Sequence, residues 1–247
     1  MSIDELLTYL FDGQSHLLRT PMAAWLASSR RFTAFVMNFR TKIRKKLRTT
    51  QEIKSLLDLQ LELETAYLLL QERSLNLVYE PLPIGQVRGP DFAVTFTNSV
   101  LFMVEITRLH TIDDSVQGFA PAQAAPECAL AEERLADMVC SKLGQLLPQR
   151  SNILIAGVED PYLTEDALRT AMLHLQQRAE RNDAAILQRH RFRDRADFFR
   201  HYQRLSELIV RGTPLRAGES VMGWVNPQAK YPLPSKVRTA LYRSHTI

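Results

Sequence analysis

Residues 89–108 read GPDFAVTFTNSVLFMVEITR. Two apolar runs, DFAVTF and LFMVEIT, flank the polar group TNS, a pattern typical of a β-hairpin with strands at 91–96 and 101–107. Side chains alternate between the two faces of a strand, so each run has one mostly apolar face. The opposite faces carry Asp91 and Glu105. We therefore expect these two carboxylates to emerge together on one side of the hairpin.

The two acids suggest a metal site. A carboxylate in a hydrophobic strand is costly to bury without a partner. Mg²⁺ commonly binds one or two protein carboxylates together with substrate phosphates, and a metal-bound water can then act as a nucleophile. The pattern thus predicts metal binding by Asp91 and Glu105. The alternative is that both are strand-end acids in ordinary solvated positions.

The rest of the chain predicts helices and strands around this hairpin. A helical N-terminus is expected to break near Thr20-Pro21, and a Pro/Ala-rich loop at 111–128 is expected to be mobile. The other predicted elements are helix 51–72, strand 75–80, helix 129–147, strand 152–158, helices 164–182 and 195–211, strand 221–225 and helix 235–243. The central order αβββαβ indicates an α/β fold with helices covering a mixed central sheet.

The 247 residues suffice for one full core with extensions. We expect a basic helical N-terminal extension at 1–50, a core at 51–160, and a mainly helical C-terminal extension at 161–247 that packs on the core. The start MSIDEL lacks the basic region and apolar stretch of a secretory signal. Cys128 and Cys140 are not in a CxxC pair. These features favour a reducing, cytoplasmic setting and no membrane partner.

Positive charge is concentrated near the N-terminus. The net charge is only +4, yet residues 30–48 contain no acid. Such a block favours polyanions, nucleic acid first. The predicted phosphate contacts are Lys42, Arg44, Lys45, Lys46 and Arg48. A solvated helix face is the alternative.

The αβββαβ order, with Pro90-Asp91 and Glu105 on its second and third strands, resembles the PD-(D/E)xK nuclease superfamily, which has the restriction-endonuclease-like fold. The resemblance covers about residues 52–158. It implies Mg²⁺-dependent phosphodiester cleavage, with Mn²⁺ as a substitute and DNA favoured over RNA. Many members of the superfamily act as dimers, so a homodimer is one arrangement that the resemblance implies.

The chain departs from the family motif at one position. The family's lysine should follow Glu105 by two residues, but Thr107 stands there, and Arg108 points to the other face of an ideal strand. Lys142 is the better candidate because it interrupts an apolar stripe of helix 129–147, with Gln145 beside it. Relocation of this lysine is a known variation in the superfamily. The alternative is a lysine that snorkels to solvent.

The family's first core helix often contributes a glutamate. Glu62 has a spacing to Leu68-Leu69 similar to that in resolvase-like members, and Glu64 is the competitor. Glu80 could join the acids or lie on the rim. The predicted catalytic set is Asp91, Glu105, Lys142, Gln145 and Glu62.

The leading functional prediction is a metal-dependent nuclease-like hydrolase acting on nucleic acid. The runner-up is a catalytically inactive nuclease-like module that binds nucleic acid or a protein partner, and Thr107 is its best support. The segment GQVRGP lacks the Lys-Ser/Thr ending of a phosphate-binding loop, so nucleotide triphosphate use has little support.

Overall fold

The computed structural model describes residues 1–81, 89–109, 127–159, 163–213 and 221–245, without the side chains of residues 127 and 128. The helices are α1 (Ile3–Phe11), α2 (Arg19–Ser28), α3 (Arg30–Thr49), α4 (Ile53–Leu69), α5 (Glu127–Leu143), α6 (Glu165–Glu180), α7 (Ala184–Arg189), α8 (Arg195–Tyr202) and α9 (Ser235–Ser244). The strands are β1 (Leu75–Tyr79), β2 (Phe92–Phe96), β3 (Val100–Arg108), β4 (Ser151–Val158), β5 (Leu205–Gly212) and β6 (Met222–Val225).

These strands form a mixed sheet in the order β1-β2-β3-β4-β5-β6. Strands β1 to β3 are antiparallel, β3 to β5 are parallel, and β6 is antiparallel to β5. The predicted α/β class with a mixed sheet and helices is therefore confirmed. No helix among the described residues has both the length and the apolar character needed to cross a membrane.

Each face of the sheet packs against its own set of helices. Phe102, Val104 and Ile106 of β3 belong to a core shared with α1 to α4 and α9. The side chains of Leu154 and Ala156 on β4 belong to a second core shared with α5 to α8. Full burial of a large apolar side chain contributes about 1.5–3 kcal/mol. The strand alternation thus fixes which face each helix covers.

The hairpin register sets the position of the acids. Phe92 of β2 pairs with Val104 of β3, so Asp91 and Glu105 occupy the next opposed positions. Thr97 and Asn98 in the turn both have positive φ, which allows the chain to reverse tightly. The predicted strands at 91–96 and 101–107 agree with β2 and β3 to within a residue.

The predicted helix at 195–211 is wrong in its second half. Helix α8 ends at Tyr202, and Leu205–Gly212 forms β5 in the sheet interior. The strand reads LSELIVRG, in which Glu207 and Arg211 have the four-residue spacing of a polar helix face. Both are instead buried in ion pairs, Glu207 with Arg238 and Arg211 with Glu64. The segment 161–247 therefore extends the sheet by two strands in addition to contributing helices.

The helical break predicted near Thr20-Pro21 is found, but it lies a few residues earlier in the chain. Both residues lie in the first turn of α2, where a proline is tolerated because its missing N–H would have no helical partner. Helix α2 is instead separated from α1 by residues 12–18 and from α3 by Ser29. The mobile loop predicted at 111–128 lies outside the described residues, except that 127 and 128 begin α5.

Candidate active site

Asp91 and Glu105 line one cavity at the end of the sheet where β2 begins and β3 approaches its end. The cavity has a volume of about 250 Å³. Asp91 directly precedes β2, and its Oδ2 accepts a hydrogen bond from the backbone N–H of Ile106 at 2.7 Å. Glu105 is only 4% exposed. The structure therefore brings the two predicted acids to the same enclosed space.

Lys142 reaches this cavity from α5. Leu135, Val139 and Leu143 bury the apolar stripe of the helix against the sheet. In the last turn, Lys142 places its Nζ 2.9 Å from Oε1 of Glu105. An ammonium in an apolar stripe thus finds a buried carboxylate instead of extending to solvent. Thr107 lines the same cavity but brings no charge.

The two candidate glutamates of α4 go to different places. Glu62 lines the cavity and accepts hydrogen bonds from Nζ of Lys46 at 2.8 and 3.0 Å. Glu64 instead pairs with Arg211 of β5, at 2.8 Å. Residues two apart on a helix point in directions about 160° apart, so one glutamate alone enters the site. Glu62 is that residue.

A second ammonium group, which the sequence pattern does not predict, lies at the site. Lys46 of α3, predicted only as a phosphate contact, lines the cavity and also lies 2.7 Å from Oε1 of Glu80. Its Nζ lies 5.0 Å from the centroid of the Tyr79 ring. The sequence does contain a signal, since Lys42 and Lys46 are one helical turn apart and share a helix face.

Other cations of the basic segment have partners from distant parts of the chain. Lys42 donates to the backbone oxygens of Tyr79 and Glu80 at 3.2 and 3.1 Å. Arg44 and Arg48 both pair with Asp12, which follows α1. The absence of acids within 30–48 therefore does not mean that the block is uncompensated. Lys45 is exposed and has no ion pair among the residues that the structure describes.

Charge at the cavity is unbalanced around Asp91. Burial raises the pKa of this carboxyl to about 8, and the negative charges of Glu105 and Glu62 add to the effect. Within the described part of the chain, Asp91 forms no ion pair. For Lys46, burial lowers the pKa, but Glu62 and Glu80 outweigh it and the pKa is raised. Lys46 thus keeps its charge in the cavity, beside an acid that forms no ion pair among the described residues.

The side chains of Gln145 and Arg108 do not join the acidic pair. Gln145 follows the end of α5 and does not line the cavity, and its buried Oε1 has no hydrogen-bond partner within the described part of the chain. Arg108 lies at the cavity wall but is held by Asp58 at 2.9 Å and Glu159 at 3.3 Å. Its guanidinium therefore does not replace the motif lysine.

The donor set suits a hard divalent cation. No group of three or more His, Cys, Asp and Glu side chains among the described residues forms a complete metal-binding cluster. Asp91 and Glu105 are a pair of oxygen donors, and Mg²⁺ needs only one or two carboxylates when water and substrate supply the rest. The unpaired carboxyl of Asp91 fits this requirement because a cation would compensate its charge.

Comparison of the chain with protein-family models, with curated proteins and with solved structures finds no match. The class of protein is thus defined by the fold alone, as an α/β protein with a mixed sheet. A proposal for the function therefore rests on the chemistry of the cavity.

Proposed function

We propose that this protein is a metal-dependent, nuclease-like hydrolase that cleaves phosphodiester bonds in nucleic acid, with DNA favoured over RNA. One observation carries the proposal. Asp91 and Glu105 face one cavity from adjacent strands, and the ammonium of Lys142 lies 2.9 Å from Glu105. Two carboxylates with a neighbouring lysine, set on a mixed sheet, support a core of the PD-(D/E)xK type.

Each residue has a role consistent with its chemistry. Asp91 and Glu105 would hold Mg²⁺ or Mn²⁺, which when bound supplies Lewis-acid character and lowers the pKa of a water. Lys142 would stabilise negative charge that develops on the phosphate, as the family's lysine does, from a helix instead of position 107. Glu62 would hold Lys46 in place at the cavity wall.

The substrate backbone would lie along the C-terminal half of α3. This helix brings Lys46 to the cavity, and Lys45 and Arg48 on the same helix are exposed. Such cations bind phosphates without reading sequence, and the binding weakens as salt concentration rises. A polyanion running past the cavity is therefore consistent with the charges on this surface.

The test is Glu105→Gln, which preserves the shape of the side chain and removes its charge. The purified protein is assayed with Mg²⁺ and with Mn²⁺ on single- and double-stranded DNA and RNA. We expect cleavage to fall by about 10³-fold or more, equivalent to about 4 kcal/mol of transition-state stabilisation. Glu165→Gln, an exposed acid on α6, is the control and should leave cleavage unchanged. Equal activity of Glu105→Gln and the wild type would refute the proposal.

A second candidate is an inactive nuclease-like module that binds nucleic acid or a protein partner. Thr107 favours it, because threonine cannot supply the charge of the motif lysine. The two candidate functions predict different behaviour of the wild-type protein. Salt-sensitive nucleic-acid binding without cleavage under every metal and substrate tested would support the inactive module.

A further inference from the structure

Lys46 occupies the space between two carboxylates as a small cation would. Its Nζ lies 2.8 and 3.0 Å from the two oxygens of Glu62 and 2.7 Å from Oε1 of Glu80. The ring of Tyr79 lies 5.0 Å away on another side. Three carboxylate oxygens from α4 and the end of β1 therefore surround one ammonium group.

The backbone holds Glu80 in this position. Its φ of 43° is in the left-handed region, which is uncommon for a residue other than glycine. The backbone N–H of Glu80 donates to the carbonyl of Asp91 at 2.8 Å, and its carbonyl accepts from Nζ of Lys42 at 3.1 Å. These two hydrogen bonds hold the backbone of Glu80 beside Asp91, and the ion pair with Lys46 holds its carboxylate.

The ion pairs around the cavity leave one carboxylate for a divalent ion to compensate. Four carboxylates lie there or at its rim, those of Glu62, Glu80, Asp91 and Glu105. Lys46 pairs with Glu62 and Glu80, and Lys142 pairs with Glu105. Asp58 also lines the cavity and pairs with Arg108. Among the described residues, Asp91 is thus the one of the four carboxylates without an ion pair, so a single divalent ion has its place at Asp91 and the adjacent Glu105.

We infer that Lys46 takes the place of a second metal ion, so that the site binds one divalent cation, at Asp91 and Glu105. This inference rests on the proposed function for the identity of the first cation. Lys46 is then a counter-ion to Glu62 and Glu80, a role distinct from binding the nucleic-acid backbone. The ammonium balances Glu62 and Glu80 permanently, where a second ion would bind reversibly.

The test counts bound Mn²⁺ per chain by equilibrium dialysis and by the electron paramagnetic resonance signal of the free ion. The wild type is expected to bind one ion. Lys46→Met, which replaces the lysine with an unbranched side chain of nearly the same length and no charge, is expected to bind two. Lys46→Arg should remain at one because it keeps the charge. Lys45→Met is the matched control on the exposed side of the same helix, and should also remain at one.

A further variant locates the additional ion. Lys46→Met leaves the carboxylates of Glu62 and Glu80 without their lysine partner. Adding Glu62→Gln removes one of these two charges and should return the number of bound ions to one. If Lys46→Met unfolds without metal, Mn²⁺ should restore its circular dichroism spectrum, and the ions are then counted in the refolded protein. Failure of Mn²⁺ to restore it would contradict the inference.

The outcomes separate the inference from the proposed function. An unchanged ion count in Lys46→Met relative to the wild type overturns the inference, whatever the wild-type count is. A wild type that binds two ions overturns it as well. If instead the wild type binds none and Lys46→Met binds one, the proposed metal site at Asp91 and Glu105 fails, while the assignment of Lys46 as a substitute cation stands.

Discussion

Glu62 and Glu64 lie two residues apart on α4 and enter two different charge clusters. Glu64 lines a separate cavity of about 210 Å³ and pairs with Arg211, which is 1% exposed. Arg211 also lies 3.3 Å from Oγ1 of Thr65 and 3.5 Å from the carbonyl of Leu61. Glu62 faces a cavity of about 250 Å³ that contains further acids and two lysines. The first is called the closed pair because one carboxylate matches one guanidinium. The second is called the open cluster because its carboxylates outnumber the two lysines.

The difference separates a structural role from a chemical one. In the closed pair one carboxylate meets one guanidinium, so it has no charge to offer a ligand. The open cluster has more carboxylates than cations, and Asp91 has no ion pair among the described residues. An acidic excess beside a cavity is typical of a site that binds a cation, and perturbed pKa values concentrate at such sites.

The largest expected effect is a difference in stability between the glutamine variants of Glu64 and Glu62. Glu64→Gln leaves the charge of Arg211 buried without a carboxylate, and should lower the free energy of unfolding by about 3–5 kcal/mol. Glu62→Gln leaves Lys46 paired with Glu80 and partly exposed, so the loss should stay within about 1 kcal/mol. Urea denaturation followed by circular dichroism measures both values.

The control for this contrast is the double variant Glu64→Gln with Arg211→Met. Because it removes both charges, it should recover most of the stability that Glu64→Gln loses. Equal losses for the two single glutamine variants would show that the clusters do not differ as described.

A second prediction concerns Lys142 in the open cluster. Lys142→Met removes the ammonium beside Glu105 and should lower cleavage by about 10²-fold, near 2.7 kcal/mol, through lost charge stabilisation of the transition state. Lys142→Arg should retain more activity than Lys142→Met. Single-turnover cleavage rates at saturating Mg²⁺ measure the effect. Lys236→Met, an exposed lysine of α9, is the control, and a similar loss there would argue against a local role.

A third prediction follows from the pKa of Asp91, which is raised to about 8. Below that pH, Mg²⁺ must displace a proton, so its apparent affinity should rise about tenfold per pH unit from 6 to 8 and then level off. Without metal, the folded state holds this proton more tightly than the unfolded state, whose carboxyl titrates near 3.8. The contribution of Asp91 to stability therefore falls as pH rises from about 4 to 8.

Calorimetric titration with Mg²⁺ at several pH values, and urea denaturation without metal, check the two halves of this prediction. Asp91→Asn should abolish the pH-dependent gain in Mg²⁺ affinity and flatten the fall in stability. A wild-type Mg²⁺ affinity that stays constant between pH 6 and 8 would contradict the assignment.

The sequence predicted what depends on local pattern. The hairpin was recognisable because alternation within 91–96 and 101–107 determines the face of Asp91 and of Glu105. Lys142 interrupts an apolar stripe, which predicts either a carboxylate partner or extension to solvent, and the structure places its Nζ 2.9 Å from Oε1 of Glu105. The α/β class followed from the order of these elements.

What the sequence did not predict depends on contacts between distant segments. The choice of Glu62 over Glu64 is set by the rotation of α4 against Lys46 on one side and Arg211 on the other. The sequence of β5 predicts a helix, because its place in the sheet depends on pairing with the distant strands β4 and β6. The basic segment predicts that Lys46 binds phosphate, because the sequence does not show that its carboxylate partners lie on α4 and after β1.

The smallest expected effect lies at the outer edge of the open cluster. Lys45 lies on the exposed side of α3, whereas the side chain of its neighbour Lys46 points inward to Glu62. If nucleic acid passes along α3, Lys45→Ala should reduce the slope of log affinity against log salt by about one, without changing Mn²⁺ binding. Fluorescence anisotropy with a labelled DNA in Ca²⁺ at several salt concentrations measures the slope. Lys236→Ala removes an equally exposed charge elsewhere, so an identical change in that variant would show that only net charge matters.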